Sequence, residues 1–240
     1  MVGAGALAAA CGWPASAAIF AFSVPASASP RPCPRCGTPA ALANRLPLLA
    51  RCRDCRAAIG PSALMTAVPM VLLAGTAAAF VRPYLVACAA CWLALCAVPL
   101  AAIDAAARRL PDVLTGAVFA GTAAFLLAAA VFDDRWADLA RSGAGALAVA
   151  GLFALLALAR PGSAGLGDAK LGFSVGALAA WFGWGTLALA SLAGFVLAGV
   201  YGLWLLASGR ARLRSTIAFG PFLLAGCFLA VLLAGATWTG

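Results

Sequence analysis

Long apolar segments separated by short polar connections run through almost the whole chain. A bilayer core about 30 Å thick is crossed by a helix of roughly 20 apolar residues. On this criterion the pattern predicts eight membrane spans, of which the first is interrupted by Pro14 and Pro25 and the sixth is short and rich in glycine. The spans cover approximately residues 5–28, 62–81, 84–103, 113–132, 139–159, 169–185, 187–207 and 217–238. We therefore expect an all-α, polytopic membrane protein.

The connection between the first two spans carries four cysteines and divides the chain into three predicted parts. These are a first transmembrane helix over 1–29, a four-cysteine loop over 30–60 and a transmembrane domain over 61–240. A competing interpretation treats 1–28 as a cleaved signal peptide, because Ala26-Ser27-Ala28 resembles a small-residue cleavage site. The absence of a positively charged start argues against that interpretation.

Basic residues accumulate in alternate connections between the predicted spans. Short cytoplasmic loops of membrane proteins are enriched in Lys and Arg, so this asymmetry predicts the orientation. It places both termini outside and the cysteine loop in the cytoplasm. The opposite connections hold only Arg82, Arg135 and Arg141. The cytoplasmic set is Arg31, Arg35, Arg45, Arg51, Arg53, Arg56, Arg108, Arg109, Arg160, Lys170, Arg210, Arg212 and Arg214.

Composition supports the membrane interpretation and narrows the chemistry. Hydrophobic residues make up 65% of the chain, charged residues 10%, and the mean hydropathy is +1.04. The net charge of +9 follows from the clustered basic connections, so we expect lipid and no nucleic acid as a partner. The chain has neither His nor Glu. A Ser-His-Asp triad, a Cys-His dyad and a His-ligated zinc hydrolase are therefore excluded, and acid–base chemistry falls to Asp, Cys or Tyr.

Two C-x-x-C turns in the loop predict a metal site. Cys33 and Cys36 form one turn, Cys52 and Cys55 the other, and their separation is typical of four-cysteine zinc sites. Four thiolates would saturate a tetrahedral zinc ion, so the site is expected to be structural. A disulfide pair and a thiol redox centre are the alternatives, and a reducing compartment disfavours them.

Two aspartates at the ends of predicted spans are candidates for catalysis, because ionisable residues at membrane depth are costly. Asp104 ends the third span, and Asp168 follows Gly165 and Gly167 at the start of the sixth. The predicted orientation places both at the cytoplasmic boundary, where two carboxylates could share a proton as an acid–base pair. The two glycines would let an extended substrate approach Asp168. Asp112, beside Pro111, is interpreted as a helix first-turn residue stabilised by the helix dipole.

Three segments in order, together with the cysteine loop, resemble bacterial type IV prepilin peptidases, which are GxGD intramembrane aspartic proteases. They are Ile103-Asp104 leading to Leu110-Pro111-Asp112-Val113-Leu114-Thr115, then Gly165-Leu166-Gly167-Asp168-Ala169-Lys170-Leu171, and finally Phe219-Gly220-Pro221-Phe222. The resemblance implies that Asp104 and Asp168 are the catalytic pair and that the cysteine loop binds zinc. We add Lys170 and Arg109 as residues expected to influence proton sharing.

By this resemblance the substrates are type IV prepilins or pseudopilins, whose basic leader peptides are removed at the cytoplasmic membrane face. The domain over 61–240 would then be a transmembrane peptidase domain. Many members also methylate the new N-terminus with S-adenosylmethionine. Here Phe22-Ser23-Val24-Pro25-Ala26-Ser27 replaces a Ser-x-Leu-Asn segment of such members, which leaves methyltransferase activity open.

Two other functions are compatible with parts of the sequence. A proton-coupled transporter would use Asp104 and Asp168 as proton relays, but such transporters are often built from inverted repeats and none is visible. A zinc-bearing scaffold for pilus assembly would be supported by the cysteine loop alone. The combination of motifs favours the peptidase.

Overall fold

The computed structural model describes residues 62–107, 110–159, 166–210 and 217–237, together with isolated positions among the first 57 residues. Within this part of the chain the architecture is all-helical, as predicted, apart from one short hairpin in the cysteine loop. The hairpin pairs β1 (Arg45–Leu46) with β2 (Arg51–Cys52) in antiparallel register. The helices are α1 (Ala63–Phe80), α2 (Tyr84–Ala107), α3 (Asp112–Phe132), α4 (Trp136–Ala159), α5 (Leu166–Trp181), α6 (Trp184–Ala207) and α7 (Gly220–Thr237).

Seven of the eight predicted spans correspond to these helices. Five of them, α2, α3, α4, α6 and α7, are long and apolar enough to cross a membrane. The predicted first span lies outside the described residues except for Ala15 and Ile19, which are helical and buried. The total of eight spans therefore stays a prediction.

Helix α5 is shorter than a bilayer core requires, and its position in the bundle explains why. Its 16 residues extend about 24 Å at 1.5 Å per residue. It contacts α2, α3, α4, α6 and α7, and the side chains of Leu171, Val175, Leu178 and Trp181 are completely buried. A helix enclosed by other helices has little contact with lipid, so its length need not match the bilayer.

Two helix boundaries differ from the prediction in ways that affect the site. Helix α2 continues to Ala107, so Asp104 lies inside the helix and not after it. Helix α5 ends at Trp181 instead of continuing to 185. Gly183, which follows, has a φ of +128°. Side-chain-bearing residues rarely adopt that conformation, so the helix ends before it and α6 begins at Trp184.

Short connections make successive helices antiparallel and sort their termini onto two ends of the bundle. One end holds the starts of α1, α3, α5 and α7 and the ends of α2, α4 and α6; we call it the carboxylate end. At the opposite end α7 finishes against α1, where a Cβ on Gly235 would lie 2.7 Å from the Phe80 carbonyl oxygen. The cysteine loop precedes α1 and is therefore connected to the bundle at the carboxylate end.

Glycines allow α4 and α5 to approach closely and so fix the position of α5. A Cβ on Gly176 would lie 2.4 Å from the carbonyl oxygen of Gly145, and one on Gly145 would lie 2.3 Å from Cβ of Ala180. Small residues at such crossings are typical of helix packing in membranes, where van der Waals contact drives association.

Candidate active site and metal centre

Two buried carboxylates distinguish the carboxylate end. All seven acidic residues of the chain are described, and only Asp104 and Asp168 are buried, each 6% exposed. Burying an isolated carboxylate is costly, so two buried ones in one small bundle indicate a function. The others lie on the surface or are half-buried: Asp54, Asp112, Asp133, Asp134 and Asp138.

The helices that carry the two carboxylates bring them to the same end of the bundle. Asp104 lies one turn before the end of α2, and Asp168 lies in the first turn of α5. Helices α2 and α5 contact each other. The first turn of a helix favours negative charge, because its unpaired backbone N–H groups point outward.

Gly220, the first residue of α7, holds the carboxylate of Asp104. Its backbone N–H donates a 3.0 Å hydrogen bond to Oδ2 of Asp104. A Cβ on Gly220 would lie 2.7 Å from the same oxygen, so no other residue fits without displacing the carboxylate. The segment around Gly220 carries part of the family resemblance, but its sequence does not reveal a role for this residue. The available signal was a glycine directly before Pro221 at the start of the last span.

Gly167 packs against the connection between α2 and α3. A Cβ on Gly167 would lie 3.0 Å from Cβ of Leu110, so the absent side chain lets α5 begin close to that connection. This contact ties the position of Asp168 to the segment after Asp104. Substrate approach over Gly167 stays a prediction. Gly165 and Arg109 lie outside the described residues.

Lys170 forms an ion pair with Asp112. Its Nζ lies 2.5 Å from Oδ1 of Asp112, and the side chains are 46% and 76% exposed, respectively. The pair joins the first turn of α3 to the second turn of α5. Asp112 was expected to be a helix first-turn residue, and it occupies that position on α3. It also has a partner on another helix, which the sequence did not reveal.

The four loop cysteines form a group that could hold a metal ion. All four sulfur atoms lie within 4.8 Å of one another. The Sγ atoms of Cys33 and Cys55 are 3.5 Å apart, and those of Cys36 and Cys52 are 3.7 Å apart. A tetrahedral zinc ion with bonds of about 2.3 Å separates its sulfur ligands by about 3.8 Å. The donor set and its spacing therefore fit zinc.

Both cysteine turns have the same local backbone geometry. The N–H of Gly37 donates to the carbonyl of Cys33 at 2.9 Å, and the N–H of Arg56 donates to the carbonyl of Cys52 at 3.0 Å. Gly37 and Arg56 have φ values of +73° and +56°. Each turn thus folds back directly after its second cysteine, which directs two sulfurs to the same point.

The surroundings of the thiols affect their ionisation in opposite directions. Backbone N–H groups of Arg35 and Cys36 lower the pKa of Cys33. The backbone of Ala57 lowers the pKa of Cys55, but burial and the neighbouring sulfurs outweigh this effect and raise that pKa to about 12. Four adjacent thiols cannot all ionise without a cation, whereas a metal ion replaces their protons.

Comparison with known proteins supports one family. Residues 88–203 match the model of the type IV leader peptidase family. The match covers 116 of the 240 residues and supports the resemblance to type IV prepilin peptidases. No curated protein and no solved structure matches the chain. Both buried aspartates lie within the matched residues, whereas the cysteine loop and Gly220 lie outside them.

The match supports the predicted resemblance and, with it, a type IV leader peptidase function in general, for which the family implies prepilin substrates. The long apolar helices indicate a membrane protein.

Proposed function

We propose that the protein is an intramembrane aspartic endopeptidase that removes basic leader peptides from type IV prepilins or pseudopilins. Asp104 and Asp168 are its catalytic pair. The observation that carries the proposal is the burial of these two aspartates, and of no other acidic residue, at one end of two helices that contact each other.

The chemistry follows from sharing one proton between two buried carboxylates. The ionised carboxylate takes a proton from a water molecule, whose oxygen attacks the carbonyl carbon of the scissile peptide bond. The protonated carboxylic acid donates its proton to the carbonyl oxygen. The C–N bond of the tetrahedral intermediate then breaks. The carboxyl group that took the water proton passes it to the leaving nitrogen, which becomes the new N-terminal amine, and the other carboxylate recovers its proton from a hydroxyl group of the intermediate.

The start of α7 orients Asp104. The N–H of Gly220 occupies one side of its Oδ2, and the first turn of α7 lies behind that donor. A hydrogen bond from a helix N-terminus orients a carboxylate and favours its charged form. Asp168 lies in the first turn of α5, which favours its charged form in the same way, so the two residues share the roles of general base and general acid.

The carboxylate end faces the cytoplasm in our proposal, and the membrane is the plasma (inner) membrane. Charge supports this orientation, because thirteen of the sixteen basic residues belong to chain segments at the carboxylate end, whereas only Arg82, Arg135 and Arg141 belong to segments at the other. A basic leader retained in the cytoplasm and an apolar stem in lipid would meet at the two aspartates.

We further propose that the cysteine loop, residues 30–60, holds a structural zinc ion. Its ligands are Cys33, Cys36, Cys52 and Cys55. The fit of their sulfur separations to a tetrahedral ion supports this proposal. Four cysteine ligands leave no open position for water, so the peptide chemistry belongs to the aspartates in the domain over 61–240.

N-methylation of the new terminus with S-adenosylmethionine stays a prediction from the family resemblance. The segment that departs from the methylating members, residues 22–27, lies outside the described residues. Purified enzyme, cleaved prepilin and S-adenosylmethionine test it, since methylation adds about 14 Da to the product.

The alternative is a proton-coupled transporter that uses Asp104 and Asp168 as relays. Coexpression with a prepilin-like substrate in a host without its own leader peptidase separates the two functions. Our proposal predicts a shorter product whose N-terminus lies at the junction of leader and stem. An uncleaved substrate, together with proton uptake by vesicles that contain the protein, would favour the transporter.

A further inference from the structure

One end of α5 carries Asp168, and the other end is held by an arginine of α4. Nε of Arg141 donates a 2.7 Å hydrogen bond to the carbonyl oxygen of Ala180, and Nη2 donates to the carbonyl oxygen of Trp181. Both carbonyls belong to the last turn of α5, where helix carbonyls have no partner within the helix. The guanidinium therefore caps α5 at its C-terminus, where a cation is also favoured by the helix dipole.

Arg141 is unusual in its position along the chain. It lies in the second turn of α4, a helix long and apolar enough to cross a membrane, and only 24% of its side chain is exposed. Asp138 accepts a 2.5 Å hydrogen bond from the same guanidinium and is 13% exposed. Partly buried charges are costly unless they are paired and hydrogen-bonded, so a cation held in this way indicates a function.

The surface between α4 and α5 shows what the cap contributes, since α4 is the main neighbour of α5. A Cβ on Gly172 would lie 3.2 Å from the backbone nitrogen of Ala150, and one on Gly176 would lie 2.4 Å from the Gly145 carbonyl oxygen. Backbone therefore lies against backbone, and few side chains interlock between the two helices. Interlocking ridges resist the sliding of packed helices, so on this surface Arg141 fixes the position of α5 along its axis.

A helix transmits a displacement of one end to the other. Asp168 and Ala180 lie roughly 18 Å apart along α5, which contains no proline that would interrupt its hydrogen bonds. A shift of the last turn away from Arg141 would therefore also move Asp168. Asp104 is held independently by the N–H of Gly220, so the shift would change the separation of the two carboxylates.

We propose that Arg141 is a positioning residue for the peptidase reaction. By capping α5 it holds Asp168 at the distance from Asp104 at which the two carboxylates share a proton. The inference rests on the proposed function and adds a residue at the opposite end of the bundle from the reacting groups. Because Arg141 acts through Asp168, it affects the reaction of bound substrate and leaves substrate binding unchanged.

The test is the cleavage of a prepilin-like substrate by purified Arg141→Met in lipid vesicles, with kcat and KM measured separately. Methionine keeps an unbranched side chain but removes the charge and the donors. A misplacement of about 1 Å caused far from the chemistry can cost about 100-fold, so we expect kcat to fall between about tenfold and 100-fold. KM should stay within about twofold of wild type. A purely structural role would lower the yield of folded protein and leave kcat per folded molecule unchanged.

Arg82→Met is the matched control. Arg82 also caps a helix at this end of the bundle, because it donates to the carbonyls of Ala78 and Val81 at 3.1 and 2.9 Å. The capped helix, α1, carries neither aspartate of the pair. This variant loses the same charge and the same kind of cap, and it should keep the wild-type kcat.

Two further variants of Arg141 complete the experiment. Arg141→Lys retains a cation that can donate to the carbonyls, so its kcat should exceed that of Arg141→Met at least about threefold, although an ammonium does not replace the guanidinium fully. Arg141→Gln is uncharged but still offers a donor, and it takes the place of Arg141→Met if the latter does not fold. Its kcat should be at least about tenfold below wild type.

A wild-type kcat in the uncharged Arg141 variant would overturn the inference. So would an equal fall of kcat in Arg82→Met, or a raised KM with unchanged kcat. The proposed function fails by a different result, which is cleavage at the wild-type rate by Asp168→Asn.

Discussion

The backbone N–H of Gly220 donates a hydrogen bond to the buried carboxylate of Asp104, across 116 residues of sequence. The first turn of α7 thereby positions a group on α2, and the absence of a side chain at Gly220 is what makes the contact fit. The last helix is thus part of the proposed active site, although it lies beyond the residues matched by the family model.

Gly220→Ala is expected to reduce peptidase activity about 100-fold, because displacing a reacting group by about 1 Å can cost that much. The added Cβ would lie 2.7 Å from Oδ2 and push the carboxylate aside. Gly199→Ala, on α6 with open space around the new Cβ, is the control and should retain wild-type activity. Cleavage rates of the purified variants measure the effect, and equal rates would contradict the positioning role.

The ion pair of Asp112 and Lys170 is expected to have a small effect. Exposed ion pairs contribute about 0.2–1 kcal/mol, so Asp112→Asn and Lys170→Gln should each lower activity less than about fivefold. The double variant should retain at least the activity of the less active single variant. A loss in Asp112→Asn as large as that in Asp104→Asn would instead make Asp112 a catalytic residue.

Purified protein is expected to contain one zinc ion per chain, which Cys36→Ser and Cys52→Ser should abolish. The loop should then be cut faster by trypsin at its arginines, because the metal stabilises its fold. Cys88→Ser, an exposed cysteine on α2, is the control and should retain the metal. Elemental analysis and limited proteolysis measure both effects. Full zinc content in Cys36→Ser would contradict the assignment of this ligand.

Orientation can be read from fusions to a phosphatase that requires oxidising conditions to fold. A fusion after Asp134, between α3 and α4, should be active because that connection is predicted to lie outside. A fusion after Gly209, between α6 and α7, should be inactive. The reverse pattern would place the carboxylate end outside and remove the basis for cleavage at the cytoplasmic face.

The Gly176 contact with α4 is expected to determine stability. Gly176→Ala places a Cβ 2.4 Å from the Gly145 carbonyl oxygen and should cost about 1–3 kcal/mol, as overpacking of a core does. Gly143→Ala places its new Cβ in open space and should leave the free energy of unfolding unchanged. Thermal unfolding in detergent should show a lower midpoint for Gly176→Ala only. Equal midpoints for the two variants would contradict a role of the Gly176 contact in stability.

Local pattern was sufficient to predict the helices and the two aspartates. Each described helix is a continuous apolar segment, and Asp104 and Asp168 are conspicuous because charges are rare in such segments. The predicted end of α5 at 185 is wrong, because the apolar segment continues through Gly183, whereas the backbone conformation of Gly183 ends the helix. Apolar periodicity carries no information about such a break.

Contacts between distant segments could not be predicted. The pairing of Lys170 with Asp112, the packing of Gly167 on Leu110 and the donor at Gly220 all depend on how helices are arranged. Spans rich in Ala, Gly and Leu can pack in several ways, so the sequence alone did not select among them.

The most direct test of the catalytic pair is the cleavage rate of purified Asp104→Asn and Asp168→Asn in lipid vesicles, with Asp112→Asn and Asp133→Asn as controls. Asn keeps the shape of Asp but cannot transfer the proton. We predict that the first two variants lose at least about 100-fold in rate, as removal of a general acid or base does. The two controls should stay within about fivefold of wild type. Near wild-type cleavage by Asp104→Asn or by Asp168→Asn would contradict the proposed mechanism.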